Sequence, residues 1–563
     1  MAPVYSNLTV HLRPDRSITQ FMLENVCNTE PTKVICEDTL TTKQITYGGI
    51  RKDAFLVANM LRTEYGICVG DVVSIVSRSC VDYILATHAV WAAGGTVSTI
   101  NHSNTDDELA FAIKIIKPKI IIADATVKTK LDKALKIING TSQGTLVMTL
   151  LSRCQGHALK DKSGADSALQ FPDDLLRSSV RVSPEAYVLD GQDAHQRCAA
   201  IVLSSGTTGL PKAVMLSHHN LIAICEMLRF HNQDNWRGDM REVFFPYRTF
   251  TASMHVLDQS PQKYRRLTVA IVGFQLLHSR RATLARLVPT IALALSESPI
   301  VSKYRYPDLE YFSCAGAVLK PNVASKLREK FPGVSLCQTY GCTETSSCIS
   351  QSGVSDIDAP LVATGTLVAN MAIRFVDENL VDVSPGVPGE ICVSCPTIMM
   401  GYKDNPRATQ ESFLEGGWYR TGDIGYLDDK EYLIIVDRIK DVIKYKGFQV
   451  SPTELEDLIL PHPSVQDVGV TSTWDESEAT EIPRAFVVTH SDVPETEYPR
   501  VAREIEHLVA TQAAGYKRLR GGVKFVKSLP RNPTGKLLRR ELRKQHSDQM
   551  SEIGNTGMLK AKI

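Results

Sequence analysis

The chain has 563 residues, 43 % hydrophobic and 22 % charged, with a formal net charge of +1. That length exceeds what one core can organise and predicts two or more domains. The near-zero net charge gives no electrostatic case for nucleic-acid or membrane-surface partners, and no apolar run long enough for a transmembrane segment occurs.

The N-terminal MAPVYSNLTV lacks a basic-then-apolar leader, which argues against secretion. Thirteen scattered cysteines read as free thiols in a reducing compartment. In the first part of the chain, strand and helix alternate. Residues 72–76 form an apolar strand, 82–91 a helix and 97–100 a second strand. Residues 106–116 place Leu109, Ala112, Ile113 and Ile116 at helical spacing, and strands follow at 120–123 and 146–150. This alternation predicts α/β layers with largely parallel sheets. Residues 156–193 are polar and mixed, and read as a connection.

An apolar strand at 199–203 and another at 213–216 flank Ser204, Ser205, Gly206, Thr207, Thr208, Gly209, Leu210, Pro211 and Lys212. The glycines allow a sharp turn that brings backbone N–H groups close to an anion. The hydroxyls add donors and Lys212 a point charge. A plain polar hairpin uses the same residue types, but rarely at this density together with a lysine. The loop is not a Walker A motif, because a strand follows it rather than a helix.

A helix is expected at 220–231, then strand, turn and helix within 300–331. Gln338, Thr339, Tyr340, Gly341, Cys342, Thr343 and Glu344 follow the end of a strand. An aromatic ring there suits a purine, Gly341 permits close approach to a ligand, and Glu344 suits a divalent cation. Upstream, Ala315, Gly316 and Ala317 form a small-residue turn. From 365 to 436 the pattern changes to short alternating strands, a β-rich lobe. Within it Cys392 and Cys395 form a C-x-x-C whose alternating apolar neighbours favour a strand over a zinc or redox site. Asp423, in Trp418-Tyr419-Arg420-Thr421-Gly422-Asp423, reads as a carboxylate on a tight glycine turn, suited to paired hydroxyls. Arg438 follows as a candidate phosphate or ribose contact.

Beyond residue 440 lies a separate small domain. The expected fold is therefore α/β. A large N-terminal domain (1–439) has layered sheets and helices plus the β-rich lobe, and a small mobile α+β C-terminal domain spans 440–563. The small domain opens with Ile443-Lys444-Tyr445-Lys446-Gly447-Phe448-Gln449-Val450 and carries Lys536 on a Pro/Gly loop. It ends in Ala561, Lys562 and Ile563, a tripeptide that resembles the Ser-Lys-Leu peroxisomal address.

These stretches, in this order, resemble the adenylate-forming (acyl-activating) superfamily, and most closely its fungal 4-coumarate–CoA ligase-like peroxisomal acyl-CoA ligases. The resemblance spans residues 204–536 and reaches upstream to 94–109. It implies an ATP-dependent acyl-CoA ligase with ATP, CoA and Mg2+ as cofactors and a small-molecule carboxylic acid as substrate. The acid becomes acyl-AMP and then acyl-CoA. It also implies a place in peroxisomal fatty-acid or fungal secondary-metabolite (toxin) pathways, with the import receptor as partner through Ala561, Lys562 and Ile563.

The resemblance also implies roles for individual residues. The loop from Ser204 to Lys212, together with Gly316, Ala317, Gln338, Thr339, Tyr340 and Gly341, contacts the nucleotide. Tyr340 stacks on adenine, Thr343 contacts phosphate and Glu344 holds magnesium. Asp423 and Arg438 hold ribose and phosphate, and Lys440 is the hinge. Lys444 and Gln449 contact the adenylate, Lys446 and Gly447 line the CoA path, and Lys536 stabilises charge as pyrophosphate leaves.

One segment departs from the family. After residues 243–247, an aromatic and a histidine that gate the acyl pocket are replaced by Arg248 and Thr249. From 248 to 288 there are seven basic residues against one acid, Asp258, and a single glycine, Gly273; family-like sequence resumes at Val288. The segment is either a genuine divergence or an out-of-frame translation, and the abrupt borders favour the second. A nucleotide-binding pseudoenzyme with a damaged acyl pocket is the alternative reading.

Overall fold

The structure is a computed structural model. It describes residues 3–12, 15–25, 28–38, 42–77, 80–102, 104–138, 146–150, 170–176, 187–189, 193–204, 211–232, 242–244, 277–317, 319–356, 359–439, 441–445, 448–475, 478, 480–531, 537–539 and 541–543.

Among the described residues, three large sheets and a two-stranded sheet of Val34–Glu37 and Gln44–Thr46 make up the large body. The first has eight strands, in the order Gly401–Tyr402, Lys212–Ser217, Cys198–Ser204, Thr96–Thr99, Val72–Val76, Ile120–Asp124, Leu146–Leu150 and Gln170–Phe171. It is parallel from Cys198–Ser204 onward, and antiparallel where Lys212–Ser217 joins its two neighbours. Both faces are covered, which explains the continuous apolar runs. In Ile120–Asp124 alternate residues go to opposite cores. Ile120 and Ile122 pack with the helices Tyr47–Thr63 and Val81–Ala92, whereas Ile121 and Ala123 pack with Asp106–Ile116 and Lys128–Ile137. The stripe predicted on 106–116 is buried along its whole length. Thr105 and Glu108 close its N-terminus with a capping box.

The second sheet runs Glu242–Phe244, Leu284–Leu287, Tyr311–Ala315 and Ser335–Tyr340 in parallel, then adds Ser350–Gln351 and Thr366–Leu367 antiparallel. Most of the departing segment lies outside the described residues, but its end does not. Leu277, Ala282, Leu284, Ala285 and Leu287 are buried, and Leu284–Leu287 is an interior strand. The fold therefore resumes before Val288, because Arg280, Arg281 and Arg286 interrupt an apolar pattern without breaking it.

The third sheet is the β-rich lobe: Val4–Tyr5, Ala372–Val376, Gly389–Ser394, Trp418–Leu427 and Phe413–Leu414, with Leu433–Arg438 beside Trp418–Leu427. Cys392 lies within a lobe strand and is buried. Ile373, Ile391, Val393 and Leu433 join the same core as the first sheet, so lobe and body share one interior.

The smaller C-terminal domain has its own core, built from Val468, Val470, Ala485, Val487, Val501, Ile505 and Val509. A hairpin of Ile443–Tyr445 and Phe448–Val450, the helices Pro452–Ile459 and Tyr498–Gln512, and the sheet Val465–Asp475, Thr480–Thr489 and Val523–Phe525 surround it. No helix among the described residues is long and apolar enough to cross a membrane.

Candidate nucleotide and metal site

The hydroxyl-rich loop closes a hairpin. Ser204 and Lys212 stand opposite each other at its base, as the last and first residues of adjacent strands. Residues 205–210, which include Ser205, Gly206, Thr207, Thr208 and Gly209, lie outside the described residues. The base is held rigidly. Fully buried Trp91 donates Nε1–H to the Ala199 carbonyl at 2.8 Å, tying the helix Val81–Ala92 to the entry strand. Ser217 and Asn220 form a capping box that starts the helix His218–His231 directly after the exit strand. The Ser204 hydroxyl is buried and has no hydrogen-bond partner among the described residues. A buried hydroxyl left unpaired costs free energy unless something else accepts or donates, which suits an anion lodged in this loop.

Gln338, Thr339 and Tyr340 end the strand Ser335–Tyr340. Both amide hydrogens of Gln338 are engaged, by the Leu361 carbonyl at 2.7 Å and the Ala363 carbonyl at 3.1 Å. Gln338 therefore braces the backbone and has no donor left over for a ligand. Thr339 Oγ1 accepts from Gln351 at 3.3 Å. At Gly341 a Cβ would sit 1.7 Å from the Ser347 carbonyl oxygen. The close approach expected to a ligand is thus to the protein's own backbone, in the loop that carries Thr343 and Glu344. Gly316 has φ +91°, a left-handed conformation that favours glycine, at the end of Tyr311–Ala315 next to Ala317.

Asp423 joins three separate elements. Its Oδ2 accepts the Tyr340 hydroxyl at 2.8 Å, and Arg438 Nε lies 2.8 Å from Oδ1. Asp423 and Arg438 are register partners on adjacent strands. The tight turn expected at Asp423 is in fact the interior of the ten-residue strand Trp418–Leu427. Gly422, at φ +72°, bends the strand without ending it, so the glycine marks a kink. Burial, with Asp423 alongside, pushes the Tyr340 hydroxyl well above its usual pKa, so it remains a donor. Burial is the strongest single influence and works against the Arg438 charge, but Asp423, Tyr340, Asp441 and Cys342, in that order, together outweigh it and the guanidinium pKa is raised.

Glu344 sits in the short 3₁₀ turn Thr343–Thr345 and is buried, at 8 % exposure. Its Oε1 accepts the Tyr402 hydroxyl at 3.1 Å, and among the described residues Oε2 has no hydrogen-bond partner. The Thr343 hydroxyl likewise has none there. No group of three His, Cys, Asp or Glu side chains converges among the described residues. One open carboxylate oxygen near the strands Cys198–Ser204 and Lys212–Ser217 fits magnesium, which keeps most of its waters and needs few protein ligands.

Sequence reasoning missed Tyr402. Its hydroxyl reaches Glu344, and Lys212 Nζ lies 4.5 Å from the centre of its ring. Tyr419 adds a side-chain hydrogen bond to Tyr402. Only the pairing of Gly401–Tyr402 with Val214 and Met215 brings the residue there.

In the small domain Lys444 and Gln449 are register partners in the hairpin. Lys444 is exposed, its N–H donating to Glu481 at 2.8 Å. The side chain of Gln449 lies outside the described residues, as do Lys440, Lys446, Gly447, Lys536, Ala561, Lys562 and Ile563.

Comparison with known proteins accords with this geometry. The AMP-binding enzyme family matches residues 23–403, and the AMP-binding enzyme C-terminal domain matches 454–536. A probable 4-coumarate–CoA ligase of Dictyostelium discoideum is 30 % identical over 556 residues, covering 96 % of each chain. The 4-coumarate–CoA ligase of Pinus taeda is 32 % identical over 497 residues, 85 % of this chain and 86 % of its own. Among solved structures, ATP-bound MatB from Rhodopseudomonas palustris superposes with a TM-score of 0.76 at 25 % identity, covering 94 % of this chain and 99 % of its own.

Proposed function

The chain belongs to the AMP-binding enzymes, and we propose that it joins an organic carboxylic acid to CoA through an acyl-adenylate held by the residues described above. In its reaction class it is an AMP-forming CoA ligase that uses ATP, CoA and magnesium. The observation that carries the assignment of roles is the Tyr340–Asp423–Arg438 clamp. Three residues from different strands meet there as an aromatic face, a diol-binding carboxylate and a cation, in the order a nucleotide presents base, ribose and phosphate.

In this reading Asp423 accepts from the ribose hydroxyls through lone pairs that Tyr340 and Arg438 leave free. The loop backbone, Ser204, Lys212 and Thr343 bind the phosphates. The acid's carboxylate attacks the α-phosphorus, forming the acyl–oxygen–phosphorus anhydride and releasing pyrophosphate. Magnesium at Glu344 supplies charge neutralisation on the triphosphate. Lys444, Gln449 and Lys536 meet the adenylate from the small domain, and Lys446 and Gly447 line the approach of CoA. The thiol then attacks the acyl carbon and AMP departs, so one hard step becomes two easier ones. No observation favours the pseudoenzyme alternative.

We extend the proposal to location and pathway: the terminal Ala561-Lys562-Ile563 is read as a peroxisomal address, in fatty-acid or secondary-metabolite (toxin) metabolism. The test of the function is pyrophosphate release by purified protein across fatty, aromatic and branched hydroxy acids, with and without CoA. CoA-dependent turnover that disappears in Lys536→Ala is the expected result; silence across the panel from soluble, ATP-binding protein counts against it.

A further inference from the structure

Tyr402 has a place in the site that no nucleotide motif explains. The segment 399–403 is stitched into position along its length. Met399 N–H donates to the Glu344 carbonyl at 2.8 Å, Met400 N–H to Met215 at 2.9 Å and Lys403 N–H to Ala213 at 2.8 Å. The Asn220 amide holds the approach to it through the Pro396 and Ile398 carbonyls, both at 2.9 Å. Gly401 adopts φ +136°, and a Cβ there would meet Thr409 at 2.9 Å. Thr409 Oγ1 in turn accepts the Tyr402 N–H at 2.9 Å. The backbone is therefore fixed on both sides of one tyrosine.

That tyrosine bridges the two charged parts of the phosphate side. Its hydroxyl donates to Glu344 Oε1, and its ring face lies beneath the Lys212 ammonium. Tyr419, on the strand that also carries Asp423, is a hydrogen-bonding neighbour of the Tyr402 hydroxyl. Among the described residues the buried carboxylate thus has one oxygen occupied and oriented, and the other left open.

We infer that Tyr402 is a positioning residue for the divalent cation: it fixes the rotation of the Glu344 carboxylate so that Oε2 faces the phosphates, and it holds Lys212 over its ring at the base of the loop. The inference rests on the ligase reading for the identity of the metal site. Partners that orient a metal-binding carboxylate are worth roughly 10–100-fold in metal affinity.

The test uses Mn2+ as the probe, titrated by electron paramagnetic resonance into full-length protein saturated with the α,β-methylene analogue of ATP. Tyr402→Phe keeps the ring under Lys212 and removes only the hydroxyl. It should weaken Mn2+ binding by roughly tenfold, leave metal-free affinity for the analogue unchanged, and produce no further loss in a Glu344→Gln background. Unchanged Mn2+ affinity, or an equal loss without the Glu344 carboxylate, would overturn the inference. If Tyr402→Phe does not fold, Tyr419→Phe decides. That variant retains the Tyr402–Glu344 bond but loosens it, so a weakening of ~2-fold supports the inference and none overturns it. A parent protein that binds Mn2+ and nucleotide but releases no pyrophosphate with any acid would overturn the ligase reading alone.

Discussion

In the proposed reading the site has a ribose side and a phosphate side, each organised around one buried carboxylate, and the two are treated differently. Asp423 has a protein partner on each oxygen, Tyr340 and Arg438. Among the described residues Glu344 has a partner on one oxygen, Tyr402. The first carboxylate is braced on both oxygens and meets the ribose only through its remaining lone pairs, so its removal should cost stability as well as nucleotide affinity. The second is left incomplete, and its removal should cost chemistry. A buried group with an unmet valence is where a ligand belongs.

Gly341 lies between the two halves, and the largest effect is expected there. Gly341→Ala must displace Ser347 backbone, since its Cβ would stand 1.7 Å from a carbonyl oxygen. We expect a loss of more than about 3 kcal/mol in thermal unfolding, together with loss of pyrophosphate release, as both carboxylates shift relative to one another.

Acid should separate the sides next. His218 and His219 open the helix that follows the strand Lys212–Ser217, and burial lowers each pKa to about 4. His218 accepts the Ile18 N–H through Nδ1 at 3.1 Å, which only the neutral ring can do. The unfolded chain binds protons from pH ~6.5 downward while the folded ring does not, so stability is intact above that pH and declines as the pH falls towards 4. The loss approaches about 3 kcal/mol for His218 alone. Hydrogen exchange across the transition should show residues 212–231 opening before 418–438. The reverse order would break the comparison.

Arg438→Leu should follow. It leaves Asp423 buried with a single donor, at a cost of roughly 2 kcal/mol, below the usual range for a buried pair because the arginine side chain is 34 % exposed. KM for ATP should rise with it. Smallest in stability is Glu344→Gln, since Tyr402 can donate to the amide oxygen as well. We expect a change under about 1 kcal/mol, against a loss of roughly a hundredfold in pyrophosphate release. Equal stability losses in these two variants would erase the distinction between the sides.

The parts legible in the sequence were those written locally. Gln338 to Glu344 is contiguous, so its place at a strand end and in the turn beyond could be read locally, although Gln338 and Gly341 serve the protein's own backbone. The apolar runs at 72–76 and 120–123 declared a buried parallel sheet because both faces are covered. What failed depended on distant partners. Val4–Tyr5 is a strand only because it pairs with Ala372 and Ile373. Gly422 looked like a turn because a glycine that kinks a strand and one that ends it are the same letter. Leu284–Leu287 was hidden among arginines, although its buried faces are apolar. Tyr402 carries no local mark of its role, since the pairing that places it joins residues 401–402 to residues 214–215.

The most direct test of the central claim follows the acid's own oxygen. With substrate labelled by oxygen-18 in the carboxylate, ATP and CoA, attack of that carboxylate on the α-phosphorus predicts AMP that carries one acid-derived oxygen, released with pyrophosphate. Unlabelled AMP, or ADP and phosphate in its place, would contradict the acyl-adenylate account.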